Sequence, residues 1–103
     1  MKPIKQEEFQ TEVIEASEGK KVVVLFSAPW CEPCKSLKPR LEKLAADHGF
    51  ELLNLDIEEA KDFVRSIGVR SVPTTRVYQD GKAVLDVTGF TSQLTSSITS
   101  LMR

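Results

Sequence analysis

The chain has 103 residues, 41% of them hydrophobic and 28% charged, with a formal net charge of −1. That length suits one domain and leaves no room for two separate cores. The composition is that of an ordinary globular fold that can bury a modest core without metals or structural disulfides. A charge so close to zero argues against a domain that grips nucleic acid through bulk electrostatics, and it offers no attraction to a membrane surface. No apolar run approaches the roughly 20 residues that a bilayer-spanning helix needs. Met1 to Gln10 is polar and charged, without the apolar stretch and small-residue cleavage site of an export signal, so a cytoplasmic location is expected.

In chain order, a short strand is expected near Pro3 to Lys5. Phe9, Val13 and Ile14 then fit one face of a first helix that ends near Gly19. Val22 to Phe26 is continuously apolar, as a central strand covered on both faces should be. Leu37, Leu41, Leu44 and Ala45 recur at helical spacing, with Gly49 as the C-terminal stop. Pro39 falls inside that pattern, and a kink is expected there. Glu51 to Leu55 reads as another strand. Asp56 can cap a helix whose apolar face is Ala60, Phe63, Val64 and Ile67, closed by Gly68. Thr75 to Gln79 and Ala83 to Thr88 flank Asp80-Gly81, a strong hairpin signal, and Pro73 sits just before the first of these strands, where a missing N–H is tolerated. Leu94, Ile98, Leu101 and Met102 form a last amphipathic helix. A parallel βαβ core followed by an antiparallel hairpin predicts an α/β fold: one mixed sheet with helices on both faces.

The two cysteines lie together in one C-x-x-C. A disulfide there would close so short a loop that it contributes little stability, so stapling is a poor explanation. The segment Ser27-Ala28-Pro29-Trp30-Cys31-Glu32-Pro33-Cys34-Lys35 joins the end of a buried strand to the start of a helix. The first turn of a helix has unsatisfied N–H groups and a positive dipole end, so a thiolate there is stabilised below its free pKa of about 8.5. Pro33 fits an early helical position. Cys34 lies three residues beyond Cys31, so its sulfur is one turn along on the same side and the two sulfurs can meet. Cys31, at the exposed end, is expected to attack a substrate disulfide, and the more buried Cys34 to resolve the mixed disulfide. The pair could instead be half of a zinc site. Structural zinc needs four ligands, and the chain adds only His48, at the far end of the following helix, so the redox reading is preferred and no metal or cofactor is expected.

Trp30 to Lys35, Pro39, Val72-Pro73-Thr74, Asp80-Gly81 and Gly89 together resemble the thioredoxin family over essentially the whole chain. The resemblance implies a mixed sheet of four or five strands flanked by four helices, in a single domain over 1–103. It implies a cis Val72-Pro73 peptide bond facing the cysteines, and a shallow docking surface made by Trp30, Val72, Pro73, Thr74 and Gly89. Phe90 either joins that surface or packs in the core. The implied activity is protein-disulfide reduction by a monomeric electron carrier, recycled by an NADPH-dependent flavoprotein reductase.

Three departures from the family pattern stand out. Leu25 occupies a position where many members bury an Asp, and Leu52 one where a Lys often accompanies it. Losing both together is coherent, since either charge alone would be costly to bury, but it removes the usual acceptor for the Cys34 proton. Ser27 replaces a frequent Trp. Glu32 stands where Gly is typical; its charge should oppose thiolate formation at Cys31, or shuttle protons to Cys34, or simply face solvent in a helix's first turn.

Other polar residues have simpler readings. His48 suits a helix C-terminus, and Asp56 and Glu59 suit a helix cap better than a paired acid system. Lys35, Lys38, Arg40 and Arg70 read as a solvated basic face that could also steer acidic partners. Two competing functions remain open: a disulfide oxidase or isomerase, disfavoured by the absence of an export signal, and a non-catalytic binding module that keeps only the fold.

Overall fold

The computed structural model describes residues 1–103. Five strands form one mixed sheet in the order β1-β3-β2-β4-β5: β1 (Lys2–Ile4), β2 (Lys21–Ser27), β3 (Glu51–Asp56), β4 (Thr74–Gln79) and β5 (Lys82–Thr88). β1 and β2 each pair parallel to β3, whereas β4 runs antiparallel to both β2 and β5. The expected central strand is central: Val22 to Phe26 are all fully buried between β3 and β4.

Alternation along the strands builds a core on each face. Val22, Val24, Phe26, Leu53 and Leu55 pack with Phe9 and Val13 from the N-terminal helical segment and with Val64 from α2 (Lys61–Ser66). On the opposite face, Val23, Leu25, Leu52 and Val77 pack with Leu37 and Leu41 of α1 (Glu32–His48) and with Leu94 and Ile98 of α3 (Ser92–Met102). α1 runs unbroken through Pro39, which is solvent-exposed, so the missing N–H costs one hydrogen bond without dividing the helix. It ends at Gly49, whose N–H donates to the Ala45 carbonyl at 2.7 Å.

Two expected helices differ in detail. The N-terminal one is a 3₁₀ turn over Gln6–Glu8 followed by a π-helical stretch over Gln10–Glu15, where the Ala16 N–H donates to the Thr11 carbonyl at 3.2 Å. Over so few residues, apolar spacing of four satisfies either a narrow or a wide turn, so the pattern could not separate them. The segment is tied to the hairpin by Ser17, which is fully buried: its Oγ accepts from the Gly81 N–H at 2.9 Å and its carbonyl accepts from the Asp80 N–H at 2.7 Å. Second, the Asp56 side chain accepts from the Glu58 N–H at 2.9 Å and so caps a separate 3₁₀ turn, Ile57–Glu59. α2 begins only after Ala60, whose φ of −149° breaks the run. Ala60, Phe63, Val64 and Ile67 nevertheless all pack against the core.

The β4–β5 hairpin turns at Asp80-Gly81 with both residues at positive φ, 53° and 78°, the geometry this dipeptide favours. A register shift at Val77/Tyr78 leaves Val84 as an extra residue on β5 and places Asp86 opposite Arg76.

Candidate active site

β2 delivers the chain to the N-terminus of α1, and the cysteines sit at that junction. Cys31 is the N-cap of α1, and the Cys34 N–H donates to its Sγ at 3.2 Å. The two residues form a disulfide with Cα atoms 5.3 Å apart. A sulfur in this position meets the open N–H groups and the positive end of a 17-residue helix. Pro33 fills an early helical position where no donor is needed.

The contrast in exposure between the sulfur-bearing residues is smaller than expected. Cys31 is 3% exposed and Cys34 1%, because both sit in an apolar niche with Ala28, covered by Ile57 and Val72. Trp30, in contrast, is 62% exposed directly beside the pair. The Val72-Pro73 peptide bond is cis, and Val72 packs against the cysteine cluster, so the loop and the disulfide are neighbours as the resemblance implied. The Pro73 carbonyl accepts from the Gly89 N–H at 2.7 Å, which ties Gly89 to the same loop.

The remaining candidates divide. The Thr74 hydroxyl donates to the Ser71 carbonyl at 2.8 Å and the residue is buried, so it shapes the loop rather than presenting a side chain. Phe90 packs against the core beneath α1 and α3. Glu32 is exposed and accepts from Lys35 Nζ at 3.0 Å, without bonding either cysteine. Leu25 and Leu52 lie in a wholly apolar cluster. His48 ends α1 at the opposite end from the cysteines, roughly 24 Å away at the 1.5 Å rise of a helix, so these residues cannot share one metal ion.

Several polar residues near the sheet make or lack bonds that the sequence does not signal. The Ser27 hydroxyl donates to Asn54 Oδ1 at 2.6 Å below the motif. Thr75, fully buried opposite Leu25, has a hydroxyl with no hydrogen-bond partner in the chain. On the other face Arg76 is buried: Nε donates to Asp86 at 2.9 Å, Nη1 to the Tyr78 hydroxyl at 3.1 Å, and the guanidinium lies 5.8 Å from the Phe26 ring centroid. Burial opposes the Arg76 charge, but the bonds to Tyr78 and Asp86 outweigh it and hold its pKa up. Burial pushes the Tyr78 phenol above its ordinary range despite the opposing pull of Arg76.

The thioredoxin family model matches residues 1–100. The chain belongs to the thioredoxin family. It is 40% identical over 78 residues to a thioredoxin of Bacillus subtilis, covering 74% of each chain. It is 36% identical over 97 residues to a thioredoxin of Gallus gallus, covering 92% of this chain and 91% of that one. The solved structure of Fasciola hepatica thioredoxin superposes with a TM-score of 0.88 over the full length of both chains, at 24% identity, a match in fold. Members of this family are protein-disulfide oxidoreductases, and the bonded cysteine pair on α1 is the group that chemistry requires.

Proposed function

We propose that the protein reduces disulfides in other proteins, with Cys31 as the nucleophile and Cys34 as the resolving thiol. The observation that carries this reading is the seat of Cys31 Sγ at the helix N-cap, accepting the Cys34 N–H at 3.2 Å. In the reduced protein the same donor and dipole favour a thiolate there. That thiolate attacks one sulfur of the substrate disulfide; a Cys31–substrate disulfide forms, and the other substrate sulfur leaves as a thiolate and takes a proton. Cys34 then loses its proton and attacks Cys31 Sγ, which expels the second substrate thiol. Two electrons pass to the substrate, and the dithiol becomes the Cys31–Cys34 disulfide.

Substrate docks on the surface beside the pair. The exposed face of Trp30 and the half-buried Val72 and Gly89 supply apolar area. The Val72 backbone N–H and carbonyl have no partner within the chain and offer an extended substrate segment a donor and an acceptor next to the sulfurs. Pro73 and Thr74 hold that loop in shape. Return of the disulfide to the dithiol needs two electrons and two protons, which we assign to an NADPH-dependent flavoprotein reductase. The protein works in this cycle as a monomer in the cytoplasm, where such reductants keep thiols reduced.

Insulin-disulfide reduction by dithiothreitol, with and without the protein, tests the activity. Acceleration is expected, and none would leave only a binding module. A Cys34→Ser variant is expected to accumulate mixed disulfides on Cys31; a variant that traps nothing overturns the assignment of roles. Equilibration with glutathione at defined poise separates reductase from oxidase, because a strongly oxidising pair would stay reduced in that buffer.

A further inference from the structure

Beyond the docking loop, a groove runs between α2 and the segment that leads to Pro73. Ile57, Val64 and Val69 line its apolar part, and Lys61, Arg65 and Arg70 line it together with a single acid, Glu58. The groove adjoins the cysteine cluster through one shared residue. Ile57 also packs against the cluster of Ala28, Cys31 and Cys34, and Ser71, at the groove's end, is the residue before Val72. The groove thus lies next in the chain to the residue along which substrate is proposed to pair.

The charges there are unbalanced. Lys61 Nζ lies 3.9 Å from Glu58, so those two offset each other. Arg65 and Arg70 are both exposed and neither forms an ion pair with any carboxylate of the chain. The whole chain carries 14 Lys and Arg against 15 Asp and Glu, so this excess of positive charge is local. Guanidinium groups present a planar fork of donors suited to carboxylates.

Resting on the reductase reading above, we propose that this groove is a specificity subsite, in which Arg65 and Arg70 hold an acidic segment flanking the substrate's cysteine. The preferred partners are then disulfide proteins with Asp or Glu a few residues from the reacting sulfur. Charges at the rim of such a surface act mainly on encounter rate, and their effect fades with salt.

Three fluorogenic peptide disulfides test this, alike except for Glu-Glu, Gln-Gln or Lys-Lys placed three to five residues from the cysteine on either side. The readout is the ratio of kcat/KM values for the dithiothreitol-reduced protein. At low salt the Glu peptide is expected to be preferred over the Gln peptide by about three- to tenfold, the scale of two exposed ion pairs, with the Lys peptide slowest. The Arg65→Gln/Arg70→Gln double variant should bring the ratio to about one, as should salt near 0.5 M, where screening is nearly complete. Equal rates on all three peptides in the wild type, or a preference that survives in the double variant, overturn the subsite while leaving the reductase reading intact. A wild-type protein that reduces none of the peptides overturns the reductase reading and the subsite together.

Discussion

The two faces of the sheet treat polar groups in opposite ways. Beneath the N-terminal helical segment and α2, a full positive charge is buried, and Arg76 is met by a carboxylate, a phenol hydroxyl and an aromatic ring. Beneath α1 and α3, on the face that continues from the cysteines, Leu25 and Leu52 sit among aliphatic side chains, and the Thr75 hydroxyl is left without a partner. A buried charge persists where the fold supplies partners for it; where it does not, the charge is absent. For the proposed chemistry, the Cys34 proton is therefore exchanged without a buried carboxylate at position 25.

The largest effect should come from placing a charge on the apolar face. Leu25→Asp is expected to cost about 3 to 5 kcal/mol at neutral pH in urea unfolding, as for a buried charge with no partner. The buried carboxyl's folded pKa is raised above its unfolded value of about 3.9, so the penalty belongs to the ionised form and should shrink as pH falls toward 4. A loss that is independent of pH would mean that packing alone is at fault. Thr75→Val, the converse change, removes a buried hydroxyl that bonds nothing and is expected to stabilise by about 1 kcal/mol. A destabilised variant would show that the hydroxyl is satisfied in solution.

How far these faces could be read in advance depended on the range of the interaction. The strand Val22 to Phe26, the Asp80-Gly81 turn and the Gly49 helix stop are local signals, and the structure follows them. So does the cysteine pair, whose spacing alone brings the sulfurs to one side of a helix. The Arg76–Asp86 pair was not legible. Counting outward from Asp80-Gly81 sets Arg76 opposite Leu85, and only the extra residue Val84 shifts Asp86 into place. Asp56 carried a true capping signal, but the backbone break at Ala60 decided which turn it caps. The near-complete burial of Cys31 depends on Ile57 and Val72 arriving from distant loops.

A smaller effect sharpens the comparison from the charged face. The raised Tyr78 pKa means that the folded state resists ionisation of the phenol. Its contribution is fully present below the unfolded value near 10 and is lost as pH rises through the folded one. Thermal stability should therefore drop above pH 10, and Tyr78→Phe should flatten that drop while losing the Arg76 hydrogen bond. An unchanged alkaline slope in the variant would contradict this.

The smallest effect is expected at Glu32. Its carboxylate is exposed and already held by Lys35, so Glu32→Gly should lower the Cys31 pKa by only a few tenths of a unit. Thiolate absorbance titrated in both proteins checks it, and superimposable curves would remove Glu32 from the redox chemistry.

The most direct measurement is alkylation of the reduced protein with iodoacetamide across a pH series, each cysteine being followed by mass spectrometry. A sulfur fixed at the tip of α1 should react first, so Cys31 is expected to be modified well ahead of Cys34, with a midpoint below the roughly 8.5 of a free thiol. Equal rates at the two cysteines, or a Cys31 midpoint at or above that value, would contradict the account.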